Sequence, residues 1–203
     1  MPVERTGAVA GVVLAAGTST RMGKNKLLFD LEGESVVRRA IRVAAESGLQ
    51  PVIAVLGHEA ERVRRELAGL SCNIVENPDY QRGINGSLKT GIAAVPDSAT
   101  AAVVILADMP FVTAPMIATL IARYRASTAP LVISDYDGVN APPMLYDRAL
   151  FPELQTMEGE GCGKVVVRRH RQEAEVLAWP AAALTDLDVP DDYARVRSAL
   201  TTG

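Results

Sequence analysis

The pattern that most restricts how this chain can fold is a regular alternation of short apolar runs with helix-period segments from residue 8 onward. Residues 8–16 form an apolar run of the length of one buried strand. Residues 35–47 then place Val36, Val37, Ala40, Ile41 and Ala44 on one helical face, and Gly48 stops that helix. Residues 51–56 predict a second strand; Ala60, Val63 and Leu67 mark a helix ending at Gly69, and residues 72–75 a short third strand. Leu88, Ile92 and Val95 suit a helix halted by Pro96, and residues 101–107 read as a fourth, buried strand. Thr113 is placed to cap a helix that turns Met116, Ile117, Leu120, Ile121 and Tyr124 inward. Such alternation predicts an α/β fold with a mostly parallel sheet covered on both faces. The second half is less regular: strands at 131–134 and 144–146, a helix over 163–170 and a last helix over 191–200.

The first strand runs straight into Gly17-Thr18-Ser19-Thr20-Arg21-Met22-Gly23-Lys24-Asn25-Lys26, a small-residue loop with three cations and no acid. Gly17, Thr18, Ser19 and Gly23 allow the backbone to curl so that successive N–H groups face one anion. Arg21, Lys24 and Lys26 add full charges, a combination suited to a polyphosphate. It is not a P-loop, because Gly17 and Gly23 are one residue too far apart and Asn25 follows Lys24. The dinucleotide fingerprint G-x-G-x-x-G is absent too, and Leu27-Leu28-Phe29 is expected to continue as an extended piece ending near Gly33.

The chain is mildly acidic, with a net charge of −3 over 203 residues, so the basic loop is a local island. Bulk charge gives no reason to expect nucleic acid or an anionic membrane as partner. A chain of this length is expected to fold as one domain covering residues 1–203. Cys72 and Cys162 have no C-x-x-C spacing and suggest neither a zinc site nor a disulfide framework. No apolar leader precedes the first strand and no run reaches membrane-spanning length, so a cytoplasmic protein is expected.

Asp108 ends the fourth strand, where Pro110 prevents its continuation, and a carboxylate at that edge suits Mg²⁺ held between protein and phosphate. Alternation would set Asp186 and Asp188 on one face of a late strand, with Pro190 and Asp191 opening the last helix; Asp188 is the candidate second metal ligand. The polar segment 77–88 offers Asn85 and Ser87 to a base edge, although Ser87 is equally a good helix cap. His58 and His170 have no visible partner in the sequence, and Trp179 reads as packing.

These residues together resemble the molybdenum cofactor cytidylyltransferases, within the larger sugar-nucleotide transferase superfamily. The motifs that carry the likeness are L-A-A-G-x-S-x-R-M-G-x-x-K at 14–26, N-P-x-Y-x-x-G-x-x-x-S-L at 77–88, L-A-D-M-P at 106–110 and D-x-D-x-P-x-D at 186–192. The A-A-G opening with Ser19 is more like the cytidylyl than the guanylyl branch, which usually has a second glycine there. The resemblance implies a three-layer Rossmann-like nucleotidyltransferase fold with a mixed, mostly parallel sheet. It implies a nucleotide site of Leu14, Ala15, Ala16, Gly17, Thr18, Ser19, Arg21, Met22, Gly23, Lys26, Asn85 and Ser87. Arg21, Lys26 and Asp108 would be catalytic, and Asp108 with Asp188 would hold one or two Mg²⁺ ions. The implied reaction is attack of the molybdopterin phosphate on the α-phosphate of CTP, releasing pyrophosphate, with a molybdenum hydroxylase apo-enzyme as recipient of the product.

The acceptor side departs from the family. Where it usually carries Gly-His-Pro, this chain reads Val139-Asn140-Ala141-Pro142-Pro143, and its usual G-D-x-G-A-R segment appears as Gly159-Glu160-Gly161-Cys162-Gly163-Lys164. Asn140, Glu160 and Lys164 are therefore the expected acceptor contacts, and GTP, a sugar phosphate or a non-catalytic delivery role are the competing expectations.

Overall fold

The computed structural model describes residues 5–19, 23–158, 161, 163–185, 187, 192, 193 and 196. In chain order they form β1 (Ala8–Ala15), the hairpin β2 (Asp30–Leu31) and β3 (Glu34–Ser35), α1 (Val36–Glu46), β4 (Val52–Leu56), α2 (Ala60–Glu66), β5 (Asn73–Glu76), α3 (Ile84–Ala93) and β6 (Ala99–Leu106). There follow α4 (Ala114–Arg125), β7 (Leu131–Tyr136), β8 (Val139–Asn140), β9 (Met144–Asp147), α5 (Phe151–Thr156), α6 (Lys164–Arg169) and β10 (Glu175–Trp179). The main sheet has the order β10-β7-β9-β6-β1-β4-β5, with β8 paired to β7. β1 pairs in parallel with both β4 and β6, as do β4 with β5 and β7 with β10. β9 is inserted against the grain, antiparallel to β6 on one side and β7 on the other, and the short β8 is antiparallel to β7 as well.

The central strands are buried on both faces, which is why they read as unbroken apolar runs. One face packs Val13, Ala54, Val103 and Ile105 against Val37, Ile41, Ile117 and Leu120, and so under α1 and α4. The other packs Val12, Val55, Val104 and Ile133 against Leu88, Ile92, Leu154 and Val166, and so under α3, α5 and α6. Burying each such Leu, Ile or Val contributes about 1.5–3 kcal/mol, and truncating Leu88 or Ile41 to Ala should cost about 2–5 kcal/mol. Gly91 sets the approach of α3: a Cβ there would meet Val12 Cγ1 at 2.3 Å and Val55 Cγ2 at 2.9 Å.

Most expected elements appear within a residue or two, and Ser35 and Thr113 cap α1 and α4 by accepting from the amides of Arg38 and Met116. Three expectations are corrected. Residues 26–28 are a short 3-10 turn rather than an extended piece, because the Asn25 side chain accepts from the Leu27 amide (3.2 Å) and draws the backbone in. Ser87 is not a cap: α3 begins at Ile84, with Gly83 at φ 108°, and Ser87 lies one turn inside and buried. His170 has a partner, Glu153 on α5, at 2.8 Å. β8, β10 and α5 were not anticipated. Most of the expected 191–200 helix lies outside the described residues, although Tyr193 packs edge-on against Phe29 and its hydroxyl donates to the Asp30 carbonyl. Among the described residues no helix is long and apolar enough to cross a membrane.

Candidate active site

Parallel pairing brings the exits of β1, β4 and β6 to one edge. Leu14 is opposite Leu106 and Ala15 opposite Leu56. Beyond the strands the alignment continues: the amide of Ala107 donates to the Leu14 carbonyl (3.1 Å) and that of His58 to the Ala16 carbonyl (3.3 Å). The loop after β1 therefore opens directly beside Asp108, at the carboxyl edge where α/β sheets collect ligands.

Two side chains shape the loop from within. Ser19 adopts a left-handed conformation (φ 50°), unusual for a non-glycine residue, and its Oγ accepts from the Lys26 amide at 3.2 Å. Asn25 holds the next amide, as above. With its backbone fixed twice, Lys26 reaches across to Asp108, Nζ to Oδ2 2.6 Å, both side chains largely shielded at 11% and 21% exposure. The pair sits on the wall of a cavity of about 250 Å³. Leu14, Ala16, Gly17, Thr18 and Ser19 line one side; Tyr80, Gln81, Gly83, Ile84 and Ser87 line the other. A Cβ on Gly17 would meet nothing within 4 Å, so the fold itself does not require glycine there. Close approach of a ligand to the backbone is the remaining reason for it.

The far wall rests on Asn77, whose amide N–H is tied to the Leu56 carbonyl (2.9 Å). Its Nδ2 donates to Ser87 Oγ (3.0 Å), and its Oδ1 accepts from the Asp79 amide (3.0 Å). Asn77 and Ser87 are both buried. Because Ser87 Oγ is used as an acceptor, its own O–H is left to donate, and among the described residues it donates to none. Gly57 allows Tyr80 to close over Ala16: a Cβ at Gly57 would meet Tyr80 Cβ at 2.6 Å and Ala16 Cβ at 2.8 Å.

A larger depression of about 670 Å³ lies on the other side of the loop, where Gly23, Lys24, Asn25 and Arg62 are found. It holds neither Asp108 nor Ser87. Arg62 is hydrogen-bonded to Glu59, whose carboxyl it holds below the usual range, so that cation is already neutralised. The smaller cavity is the one with reactive character.

Of the expected site residues, the structure brings Leu14, Ala16, Gly17, Thr18, Ser19, Lys26, Ser87 and Asp108 together around this cavity. Ala15 is buried within β1, Gly23 lines the larger depression, and Asn85 lies on the first turn of α3 outside the cavity lining. Asn140 and Lys164 line a separate cavity. Arg21, Met22, Glu160 and Asp188 lie outside the described residues. The amide of Leu187, the residue before Asp188, donates to the Asp108 carbonyl at 3.2 Å. Asn77, Tyr80 and Gln81 were missed as site residues, although the Asn-Pro that opens the 77–88 segment was a usable signal. Among the described residues no group of three or more metal-ligating side chains occurs. The donor set is a carboxylate beside a basic, glycine-bearing loop, which fits a hard cation that takes its other ligands from phosphate and water.

The MobA-like NTP transferase domain family matches residues 11–175, which contain the whole of this cavity. The chain belongs to that family. It is thereby a nucleotidyltransferase, and relatives extend the likeness over nearly all of the chain. PucB, a purine catabolism protein of Bacillus subtilis, is 29% identical over 94% of this chain and 97% of its own. The crystal structure of Rv0371c from Mycobacterium tuberculosis is 30% identical, covers 96% of this chain and all of that one, and superposes with a TM-score of 0.85. That protein is also solved in complex with manganese (28% identity, 95% of this chain, 99% of that one, TM-score 0.81). The bifunctional protein GlmU of Mycobacterium sp. strain KMS is 32% identical over 63% of this MobA-like chain but only 27% of its own length.

Proposed function

We propose that this single domain is a Mg²⁺-dependent cytidylyltransferase, transferring CMP from CTP to the terminal phosphate of molybdopterin with release of pyrophosphate. The observation that carries the reading is the Lys26–Asp108 ion pair on the wall of a cavity shared by the glycine loop and the free Ser87 hydroxyl. The A-A-G opening with Ser19, more like the cytidylyl than the guanylyl branch, supports a pyrimidine base. Ser87 would donate to a base acceptor such as the cytosine O2, and the backbone around Ala15 to Gly17 would face the rest of the base.

A triphosphate gives Lys26 an anion to exchange for Asp108. Lys26 would then neutralise charge at the α-phosphate while Arg21 and the turn through Gly23 meet the β- and γ-phosphates. The freed Asp108 carboxylate would hold Mg²⁺ together with Asp188, the residue after the Leu187 whose amide donates to the Asp108 backbone carbonyl; manganese in Rv0371c supports a divalent ion here. When bound, that ion supplies further neutralisation of the phosphate oxygens. A phosphate oxygen of the acceptor forms the new bond to the α-phosphorus as the bond to the β-phosphate bridging oxygen breaks, and pyrophosphate leaves with that electron pair. No general base is needed, because a phosphate monoester is already ionised near neutrality; alignment and charge neutralisation carry the rate. PucB is named for purine catabolism, which supports a molybdenum hydroxylase apo-enzyme in the cytoplasm as recipient of the product.

A different phosphorylated acceptor, a sugar phosphate among them, is the second reading, favoured by the loss of the family's usual His from residues 139–143 and by Lys164 standing where it usually has Arg. Pyrophosphate release measured with each of four ribonucleoside triphosphates against molybdenum cofactor and a sugar-1-phosphate panel separates the two. CTP with molybdenum cofactor should be preferred, and Asp108→Ala should abolish release. A clear preference for GTP overturns the base assignment, and turnover retained in Asp108→Ala removes the metal role of that carboxylate.

A further inference from the structure

β9 runs against β6 with Met144 opposite Val104, so its start lies toward the edge that carries Asp108. β7 ends at the same edge, and β8 returns to place Asn140 opposite Asp135. The short helix α6 crosses there, anchored by Val166 and Val167 in the same core as Met144. Between them is a cavity of about 460 Å³ lined by Asn140, Met144, Lys164, Val167, Arg168 and Arg171.

Three of those six residues are cations, spaced four and then three apart so that they share one side of α6 and the turn after it. Their neighbours are treated differently. Arg169 and His170 both bind Glu153, at 2.6 and 2.8 Å. Lys164, Arg168 and Arg171 form no ion pair with any described residue. All three are exposed, so solvent screens their mutual repulsion, and their charge is available to an anion from outside.

The rest of the lining refines the ligand. Asp135 can only accept, so Asn140 turns its Nδ2 to Asp135 Oδ2 (2.7 Å) and presents its carbonyl oxygen elsewhere. Val167 and the thioether of Met144 make an apolar, polarisable floor.

We infer that this cavity takes the end of the acceptor remote from its reacting phosphate, and that this end is a second anion on a body with an apolar face and an N–H or O–H donor. Arg168 and Arg171 are then specificity-determining residues, each offering a planar fork to an oxyanion, with Lys164 as a point charge between acceptor and α6. The inference rests on the transfer reaction proposed above and names its acceptor class.

Two measurements test it. In initial-rate kinetics at saturating CTP, Arg168→Gln with Arg171→Gln should raise the acceptor KM by about tenfold or more, since charged hydrogen bonds are worth that much, while the KM for CTP stays within about twofold. An acceptor KM unmoved in the double variant overturns the inference. If no acceptor turns over, so that the transfer reading itself fails, crystals soaked in sodium tungstate decide. An anomalous peak among Lys164, Arg168 and Arg171 that vanishes in the double variant but persists at the Lys26 loop upholds an anion cavity. The absence of that peak from the unsubstituted protein overturns it.

Discussion

Two regions of one sheet edge handle positive charge in opposite ways. Beside β1 and β6, Lys26 is fixed by Ser19 and by the turn at Asn25, and a carboxylate meets it at 2.6 Å. Beside β7 and β9, three cations surround a larger cavity and none has a described carboxylate. A cation held against a carboxylate is pre-positioned for exchange, because an incoming phosphate replaces one anion with another at little reorganisation cost. Exposed cations with no carboxylate partner among the described residues stay available to a ligand instead. The first arrangement suits chemistry at a fixed point; the second suits recognition.

Three substitutions put that contrast at risk. The largest effect is expected from Lys26→Met, which should lower the rate of nucleotidyl transfer by about 10²–10³-fold, the cost of removing one pre-organised charge from a reacting phosphate. Its thermal unfolding should stay close to that of the parent, and a rate within about threefold would dissolve the distinction between the two regions. A smaller effect is expected from Gly17→Ala. The protein's own atoms leave room for the methyl, so folding should be untouched, while the KM for nucleotide rises by about tenfold as the base loses its close approach to backbone. Wild-type nucleotide affinity in that variant would mean the cavity of about 250 Å³ is not the nucleotide site.

The smallest effect concerns the scaffold of the recognition side. Glu153 is desolvated, which by itself would raise its pKa, but hydrogen bonds from His170 and Arg169 outweigh this and hold the carboxyl below its ordinary value of 4.5. A depressed folded pKa means the unfolded chain binds more protons. The stabilisation is therefore present above pH 4.5 and is lost as pH falls through the folded value. Glu153→Gln should cost about 0.5–1 kcal/mol in urea unfolding at pH 7, in the range of exposed ion pairs, and the difference should close below the folded pKa. A cost that is independent of pH would place the role of Glu153 in packing rather than charge.

How much of this was legible beforehand differs between the same two regions. The loop after β1 and Asp108 were readable because each lies in one contiguous segment, and the parallel core because each of its separate strands and helices has a local signature. The Ser87 hydroxyl was named, but its burial and its partner Asn77 were not, since a serine ahead of an apolar run reads as a cap until the helix is seen to begin at Ile84. Residues 26–28 misled because apolar periodicity carries no record of the Asn25 side chain capping its own turn. β10 was invisible for a different reason: it is an edge strand in which Leu177 alone is buried, so there was no alternation to detect. Lys164 was singled out by resemblance, whereas Arg168 and Arg171 became functional candidates only when α6 was seen to face Asn140 and Met144.

By itself, then, the sequence determined that strands and helices alternate, that the sheet is covered on both faces, and that a basic, glycine-bearing turn follows the first strand. Those properties belong to stretches short enough for backbone propensity and side-chain period to act alone. What only the tertiary structure decided is which exits face each other. The β1–β6 register that aligns Leu14 with Leu106 sets Lys26 against Asp108, and the antiparallel insertion of β9 sets a second cavity at the same edge. Register is fixed by burial of whole sheet faces across distant segments, and no single strand carries that information.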